Sequence, residues 1–359
     1  MMLPLKNLLL MDDASKNRDE MIETFDHLVR EAGGDPEKTD GKIVREIMHT
    51  ATKLIRDGAD LGELKLISRS LKELRYALKV FRGYGETRKI SIFGSARTPE
   101  DHSDYQAAVQ FSRAMADAGW MVITGAGDGI MRAGHGGAGA DQSFGVAIRL
   151  PFETTANEYI AGDPKLMTFR YFFTRKLMFM WQSEAIALFP GGFGTQDEGF
   201  EALTLIQTGK AATIPVVMVD SPGGDYWVKW DRYVRSELLD NGWVGSEDLN
   251  FFFITDDPDA AARHVLNFYR NYHSQRFVRD DLVIRMQRPL LASQIEQLND
   301  EFGDLVAKGS IKQGGPLETE TEHLELPRLR FVFTKHGYGR LRKLIDQINA
   351  FDVDNVATD

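Results

Sequence analysis

Two charged residues flank a glycine run in the middle of the sequence. Arg175 lies in Phe172-Phe173-Thr174-Arg175-Lys176, and Glu198 ends Pro190-Gly191-Gly192-Phe193-Gly194-Thr195-Gln196-Asp197-Glu198. A guanidinium and a carboxylate beside such a loop can orient a sugar and stabilise positive charge that develops on it. Glycines add an anion site, because backbone without side chains leaves N–H groups open and a following helix contributes the positive end of its dipole. The run has two companions, Gly94-Ser95-Ala96-Arg97 and Thr124-Gly125-Ala126-Gly127-Asp128-Gly129. Arg175 and Glu198 are therefore candidate catalytic groups. Gly94, Ser95, Gly125, Gly127, Gly129, Gly191, Gly192, Gly194 and Thr195 are candidate phosphate or nucleotide ligands.

Local readings compete with these. Thr195-Gln196-Asp197-Glu198 has T-x-x-E spacing, in which Thr195 would cap a helix and Glu198 would reach back to its N–H. Arg175 beside Lys176 can be an ordinary solvated helix cation, and Asp197 and Glu201 are expected as surface acids. The loops also fail two familiar tests. Ile130 stands where the third glycine of G-x-G-x-x-G belongs, and Thr204 replaces the first glycine of a P-loop ending at Gly209-Lys210, which disfavours NAD and ATP hydrolysis.

Positioning these loops requires a scaffold of alternating periods. Strands are expected over 90–93, 120–123, 143–148, 185–189 and 214–219, with helices over 105–118, 130–140, 173–182, after Thr195, and over 260–272. Short apolar strands alternating with amphipathic helices give an α/β fold, a Rossmann-like doubly wound parallel sheet. In that fold all three glycine loops lie at carboxyl ends of strands, where ligands bind. Upstream, Leu64, Ile67, Leu71, Leu74, Leu78 and Phe81 recur at helical spacing and end at Gly83-Tyr84-Gly85. Downstream, a hinge at His273-Ser274-Gln275-Arg276 leads to a strand (282–286), a helix (293–305), two short strands and a last helix (338–350), with the polar stretch 313–325 as a loop. The expected domains are an N-terminal helical region (1–84), a nucleotide-binding catalytic domain (85–273) and a small C-terminal α+β appendage (274–359).

Composition narrows the function classes. The 359 residues carry 43 Lys+Arg against 53 Asp+Glu, a formal net charge of -10, which argues against nucleic acid as partner. Cysteine is absent, removing thiol nucleophiles, disulfides and cysteine-based metal sites. The apolar start, Met1 to Met11, is broken by Pro4 and Lys6 and reads as a packing arm; with no apolar run of about 20 residues, neither a signal peptide nor a membrane span is expected, and the location expected is cytoplasmic. The eight histidines show no ligand spacing, so His135 reads as a helix or loop residue and neither metal nor cofactor is expected. Phe172, Phe173, Phe179 and Trp181 are read mainly as core, with one of them available to line a base pocket. Arg276, Arg279, Arg285 and Arg288 form a basic stretch that reads as a solvated face or, alternatively, as an anion-effector or subunit site.

The run from Pro190 to Glu198, with Arg175-Lys176 before it, resembles the PGGxGTxxE signature of the Lonely Guy family, nucleoside 5'-monophosphate phosphoribohydrolases often labelled lysine decarboxylases. The resemblance covers roughly 88–272. Leu150-Pro151-Phe152-Glu153 through Asn157-Glu158-Tyr159 is similar to the longer bacterial members, whereas Ala126 and Asp128 depart from the Gly and Pro common in the family. It implies hydrolysis of the N-glycosidic bond of AMP or a similar nucleotide, such as a cytokinin riboside monophosphate, to free base and ribose 5-phosphate. Arg175 and Glu198 would be catalytic, and Gly191, Gly192, Gly194 and Thr195 would hold the phosphate. It also implies a homodimer or larger homo-oligomer. The alternative is a non-catalytic nucleotide or cofactor carrier or sensor on the same fold.

Overall fold

A computed structural model of the chain describes residues 19–150 and 156–351. The arm at residues 1–11 and the run 151–153 lie outside the described residues. Two compact units meet in sequence at Lys72 and Glu73. In the first, α1 (19–31) and α2 (Thr39–Arg56) are joined by an Asp26–Arg45 ion pair of 2.7 Å, and α3 (Leu61–Arg82) begins. Its start is a capping box: Asp60 Oδ1 accepts from the Glu63 N–H (2.9 Å) and Glu63 Oε2 from the Asp60 N–H (2.8 Å).

The second unit runs β1 (Lys89–Phe93), α4 (Ser103–Asp117), β2 (Met121–Thr124), α5 (Ile130–Ala138), β3 (Ser143–Ile148), β4 (Leu166–Phe169) and α6 (Phe172–Gln182). It continues through β5 (Ala185–Leu188), α7 (Phe193–Gln207), β6 (Val216–Val219), α8 (Tyr226–Tyr233), β7 (Phe252–Thr255) and α9 (Pro258–Phe268). The seven strands form one parallel sheet in the order β4-β3-β2-β1-β5-β6-β7, a Rossmann-like doubly wound arrangement. Every residue of β1, β2, β5 and β6 is buried, as a sheet covered on both faces demands. Ile123, Phe144 and Leu188 pack on one face with Met178 and Phe179 of α6 and Ile206 of α7. On the opposite face Ile90, Ile92 and Ala187 pack with Phe111 of α4, Ile130 of α5 and Val265 of α9.

Beyond α9 come β8 (Tyr272–Val278), β9 (Asp281–Met286), α10 (Ala292–Phe302), β10 (Val306–Gly314), β11 (Arg328–Phe333) and α11 (Tyr338–Ala350). These strands make a separate antiparallel sheet, β10-β11-β9-β8. The expected hinge at His273–Arg276 is instead part of β8: Ser274, Gln275 and Arg276 pair with Arg285, Ile284 and Val283 of β9, and His273 sits at a register shift. Its polar sequence suits an edge strand with one wet face, which composition alone does not separate from a linker. Nor was β4 or β7 foreseen: both are four-residue edges of the large sheet, too short to show a period. Arg285, expected on a solvated face, is buried against Glu320 at 2.9 Å. Among the described residues no helix is long and apolar enough to cross a membrane.

Candidate active site at the carboxyl edge of the parallel sheet

The chain builds β1 to β4 outward in one direction, then returns to lay β5 on the other side of β1. That reversal leaves a crevice beyond the carboxyl ends of β1 and β5. The three glycine loops follow β2, β1 and β5, three adjacent strands, and so converge there. Backbone hydrogen bonds tie them together: the Ser95 N–H donates to Pro190 O (3.1 Å) and the Ile130 N–H to Ser95 O (3.0 Å). Several glycines are present because nothing larger fits. A Cβ at Gly94 would lie 2.6 Å from Ile130 Cγ2, and one at Gly191 would overlap the Thr195 hydroxyl and approach Ser95 N to 2.9 Å. Gly129 has φ +60° and is pressed on Ser95 O, whereas Gly192 and Gly194 face open space. Gly127 packs beside Met131, and Asp128 is exposed next to it.

Arg175 projects from the second turn of α6 to this edge. Its Nε donates to Val146 O of β3 (2.9 Å), its guanidinium lies 5.2 Å from the Phe179 ring, and its Nη2 lies so close to Gly125 that any side chain there would collide with it. Sequence reasoning placed Arg175 near the third loop; the structure puts its guanidinium on the second.

Glu198 does not cap α7. The helix begins three residues earlier than the T-x-x-E spacing implies, with Gly192 as N-cap and Phe193 first, so Thr195 is inside the helix and buried. Gly192 takes the N-cap position in extended backbone, with no side-chain hydrogen bond to the first turn. Glu198 is then a second-turn residue, and its Oε2 is shut away from solvent without a hydrogen-bond partner. Burial pushes its carboxyl up to about 7, against the opposing pull of Lys176 and Arg175. Desolvated on one oxygen and within electrostatic reach of Lys176 and Arg175, Glu198 is not an ordinary surface acid.

The neighbouring acids are not free either. Lys176 Nζ bridges Asp197 and Glu201, 2.6 Å from each, linking α6 to α7 around Glu198. Burial favours its neutral amine, but Asp197, Glu198 and Glu201 outweigh that and raise its pKa. The aromatics divide: Phe179 is fully buried, whereas Phe172, Phe173 and Trp181 are exposed, contrary to the core reading. Helical spacing marks two faces of α6 as apolar, and only the face bearing Thr174, Met178 and Phe179 meets the sheet. Tyr226 was missed altogether. Its hydroxyl donates to Gly191 O (2.6 Å) and accepts from Gln196 Nε2 (2.7 Å), bracing the third loop from α8, a helix of eight residues.

Residues 126–265 match the family model described as a possible lysine decarboxylase. This segment belongs to the Lonely Guy family. It contains Arg175, Glu198 and the whole third loop, while Gly94 and Ser95 precede it. Among solved structures the chain is similar to a molybdenum cofactor binding protein from Rippkaea orientalis, with 18% identity over 50% of this chain and 96% of that one and a TM-score of 0.35. A molybdenum cofactor carrier protein from Chlamydomonas reinhardtii matches at 19% identity over 50% and 98%, TM-score 0.34. DNA processing protein A from Helicobacter pylori matches at 13% identity over 52% and 83%, TM-score 0.32. No curated protein matches the chain. The decarboxylase description finds no support in the Lonely Guy segment's site: Lys176, its nearest lysine to the crevice loops in sequence, is held charged by carboxylates and does not fit a Schiff-base role.

Proposed function

We propose that the protein hydrolyses the N-glycosidic bond of a nucleoside 5'-monophosphate, AMP or a close analogue, giving free base and ribose 5-phosphate. The observation that carries this reading is Glu198: a carboxyl sealed on one oxygen, pushed up to about 7 by burial, on the helix that starts in the third glycine loop. The phosphate would sit over the N–H groups of Gly192, Phe193 and Gly194 at the start of α7. That fixes the ribose toward Glu198 and Arg175. As the C1'–N bond breaks, its electron pair leaves with the base and C1' gains oxocarbenium character, which the Glu198 carboxylate stabilises. Water then bonds to C1' and gives its proton to Glu198, while the departing base takes a proton from solvent and Arg175 stays charged. Arg175, anchored through Nε to Val146 O, keeps Nη2 directed at the glycine loop and balances the charge.

The test is direct. Wild-type protein incubated with AMP, GMP and CMP should release free base, seen by chromatography, and the matching nucleosides should not react. Glu198→Gln should bind the nucleotide unchanged and lose about 10²–10⁴-fold in turnover. Binding without base release from any nucleotide by the wild type would make the protein a carrier instead. The reading includes a homodimer or larger assembly, for which the exposed Phe172, Phe173 and Trp181 of α6 and Phe193 of α7 supply an apolar face; light scattering after gel filtration measures it.

A further inference from the structure

His135 is buried on α5, behind the second glycine loop, with polar partners on both ring nitrogens. Nε2 lies 3.0 Å from Thr124 Oγ1 and 3.1 Å from Phe144 O, and Nδ1 lies 3.2 Å from Asn157 Oδ1. The Asn157 amide is oriented by its other end, since Nδ2 donates to Gly127 O at 2.9 Å. Its oxygen must therefore face the ring, and an amide oxygen only accepts, so the ring proton belongs on Nδ1. Burial favours the neutral ring, which leaves Nε2 an acceptor. Thr124 Oγ1 already accepts the Ala126 N–H at 3.0 Å, and its own proton is left for Nε2. With the proton on Nδ1 the direction of each bond in the chain follows, and Phe144 O, itself only an acceptor, receives none from Nε2. From the Ala126 N–H the chain passes through the Thr124 hydroxyl, His135 and the Asn157 amide, and it ends on Gly127 O.

We propose that His135 is the positioning residue of the second glycine loop, acting through this one-way chain that begins and ends on adjacent loop residues. The loop needs such a brace. Ala126 has φ +64°, a left-handed conformation unfavourable for a residue with a side chain, and it is clamped on both sides: its N–H by Thr124 and its carbonyl by the Asn157 N–H at 2.9 Å. The same loop sets Gly125 against Arg175 Nη2 and Gly129 against Ser95 O. A second tie holds Asn157 in place, because its neighbour Glu158 receives Arg132 Nε of α5 at 2.9 and 3.0 Å. His135 thus acts through the loop on Arg175 and on the crevice; that it thereby positions a nucleotide rests on the phosphoribohydrolase reading.

Histidine-labelled full-length protein tests the chain without any ligand. A long-range 1H–15N spectrum should show His135 neutral with its proton on Nδ1, and Thr124→Val should move the Nε2 resonance. Hydrogen exchange at 125–129 should quicken in Thr124→Val and in Asn157→Ala. A proton on Nε2, or loop exchange unchanged in both variants, overturns the proposal whatever the protein binds. Calorimetry with AMP then reads the consequence for the site. Each variant should weaken binding by about tenfold, the worth of one hydrogen bond to a charged group, and raise KM more than it lowers kcat. The double variant should lose little more than either single one, because one broken link already opens the chain; strictly additive losses contradict it. Failure of the wild type to bind or cleave any nucleoside monophosphate would instead sink the phosphoribohydrolase reading and leave the tautomer and exchange to judge His135.

Discussion

Glu198 connects the proposed activity to stability through one proton. Its carboxyl is raised from the usual carboxylate range to about 7 by burial, so the folded protein binds a proton there that the unfolded chain releases near 4.5. Below the lower value both states are protonated and the group is neutral to stability. Between the two the folded state is progressively penalised as pH rises, and above the upper value the penalty is constant. Glu198→Gln removes the charge and keeps the shape. It should match wild type in thermal midpoint near pH 4 and exceed it at pH 8, measured by scanning calorimetry; equal midpoints throughout would mean the carboxyl is not held in a desolvated site. If the carboxylate is the working form, turnover should rise with pH through about 7 and then level. A rate that falls over that range would make Glu198 a proton donor.

At the level of elements, the site depends on how α6 and α7 present their first two turns. Lys176 joins them through Asp197 and Glu201, and its charge lowers the Glu198 pKa against the effect of burial. Lys176→Met should therefore shift the rise in the pH–rate profile to higher pH; an unshifted profile would reduce Lys176 to a surface tie. The glycines separate by what surrounds them. Gly192→Ala and Gly194→Ala meet open space, so stability should stay within about 0.5 kcal/mol of wild type, while AMP affinity falls about tenfold if phosphate rests on that backbone. Gly129→Ala places a Cβ on Ser95 O at φ +60° and should cost about 1–3 kcal/mol with or without ligand, measured by urea unfolding. The glycine loops and the parallel sheet were legible because strand-end glycines and alternating periods are local signals. By contrast, the start of α7 was misplaced by three residues, since T-x-x-E is a pattern that a helix begun by Gly192 overrides. The His135 chain and the Tyr226 brace were invisible, because their partners come from separate elements and only the fold joins them.

For the molecule as a whole, the two sheets of the second unit are joined by shared packing and by polar contacts between α9 and α11. Phe268 of α9 lies in one apolar cluster with Leu341, Leu344 and Ile345 of α11. Arg342 stands 4.6 Å from the Phe268 ring, with His264 Nε2 3.0 Å from its Nη2. Asn349 Oδ1 accepts from the N–H groups of Asn271 and Tyr272, both at 2.8 Å, pinning the entry into β8. Damage to the antiparallel sheet should thus reach the site. The sharpest point for it is Glu320, fully buried between Arg285 (2.9 Å) and Arg328 (2.8 Å). Burial alone would raise its carboxyl, but hydrogen bonds from Arg328, the Leu317 N–H and Arg285 prevail and hold it at about 2. A depressed carboxyl stabilises the fold above its unfolded value, near 4.5, and that contribution disappears as pH falls toward 2. Glu320→Gln leaves two buried guanidinium groups without a counter-charge and should cost about 3–5 kcal/mol at pH 7. The deficit should shrink as pH is lowered from 4.5, because wild type then loses the same charge. If the sheets unfold as one, tryptophan fluorescence from Trp227, buried beside the large sheet, and loss of the proposed nucleotide cleavage should shift together in urea. A variant whose antiparallel sheet melts first while cleavage persists would show that the parallel-sheet layer stands without it.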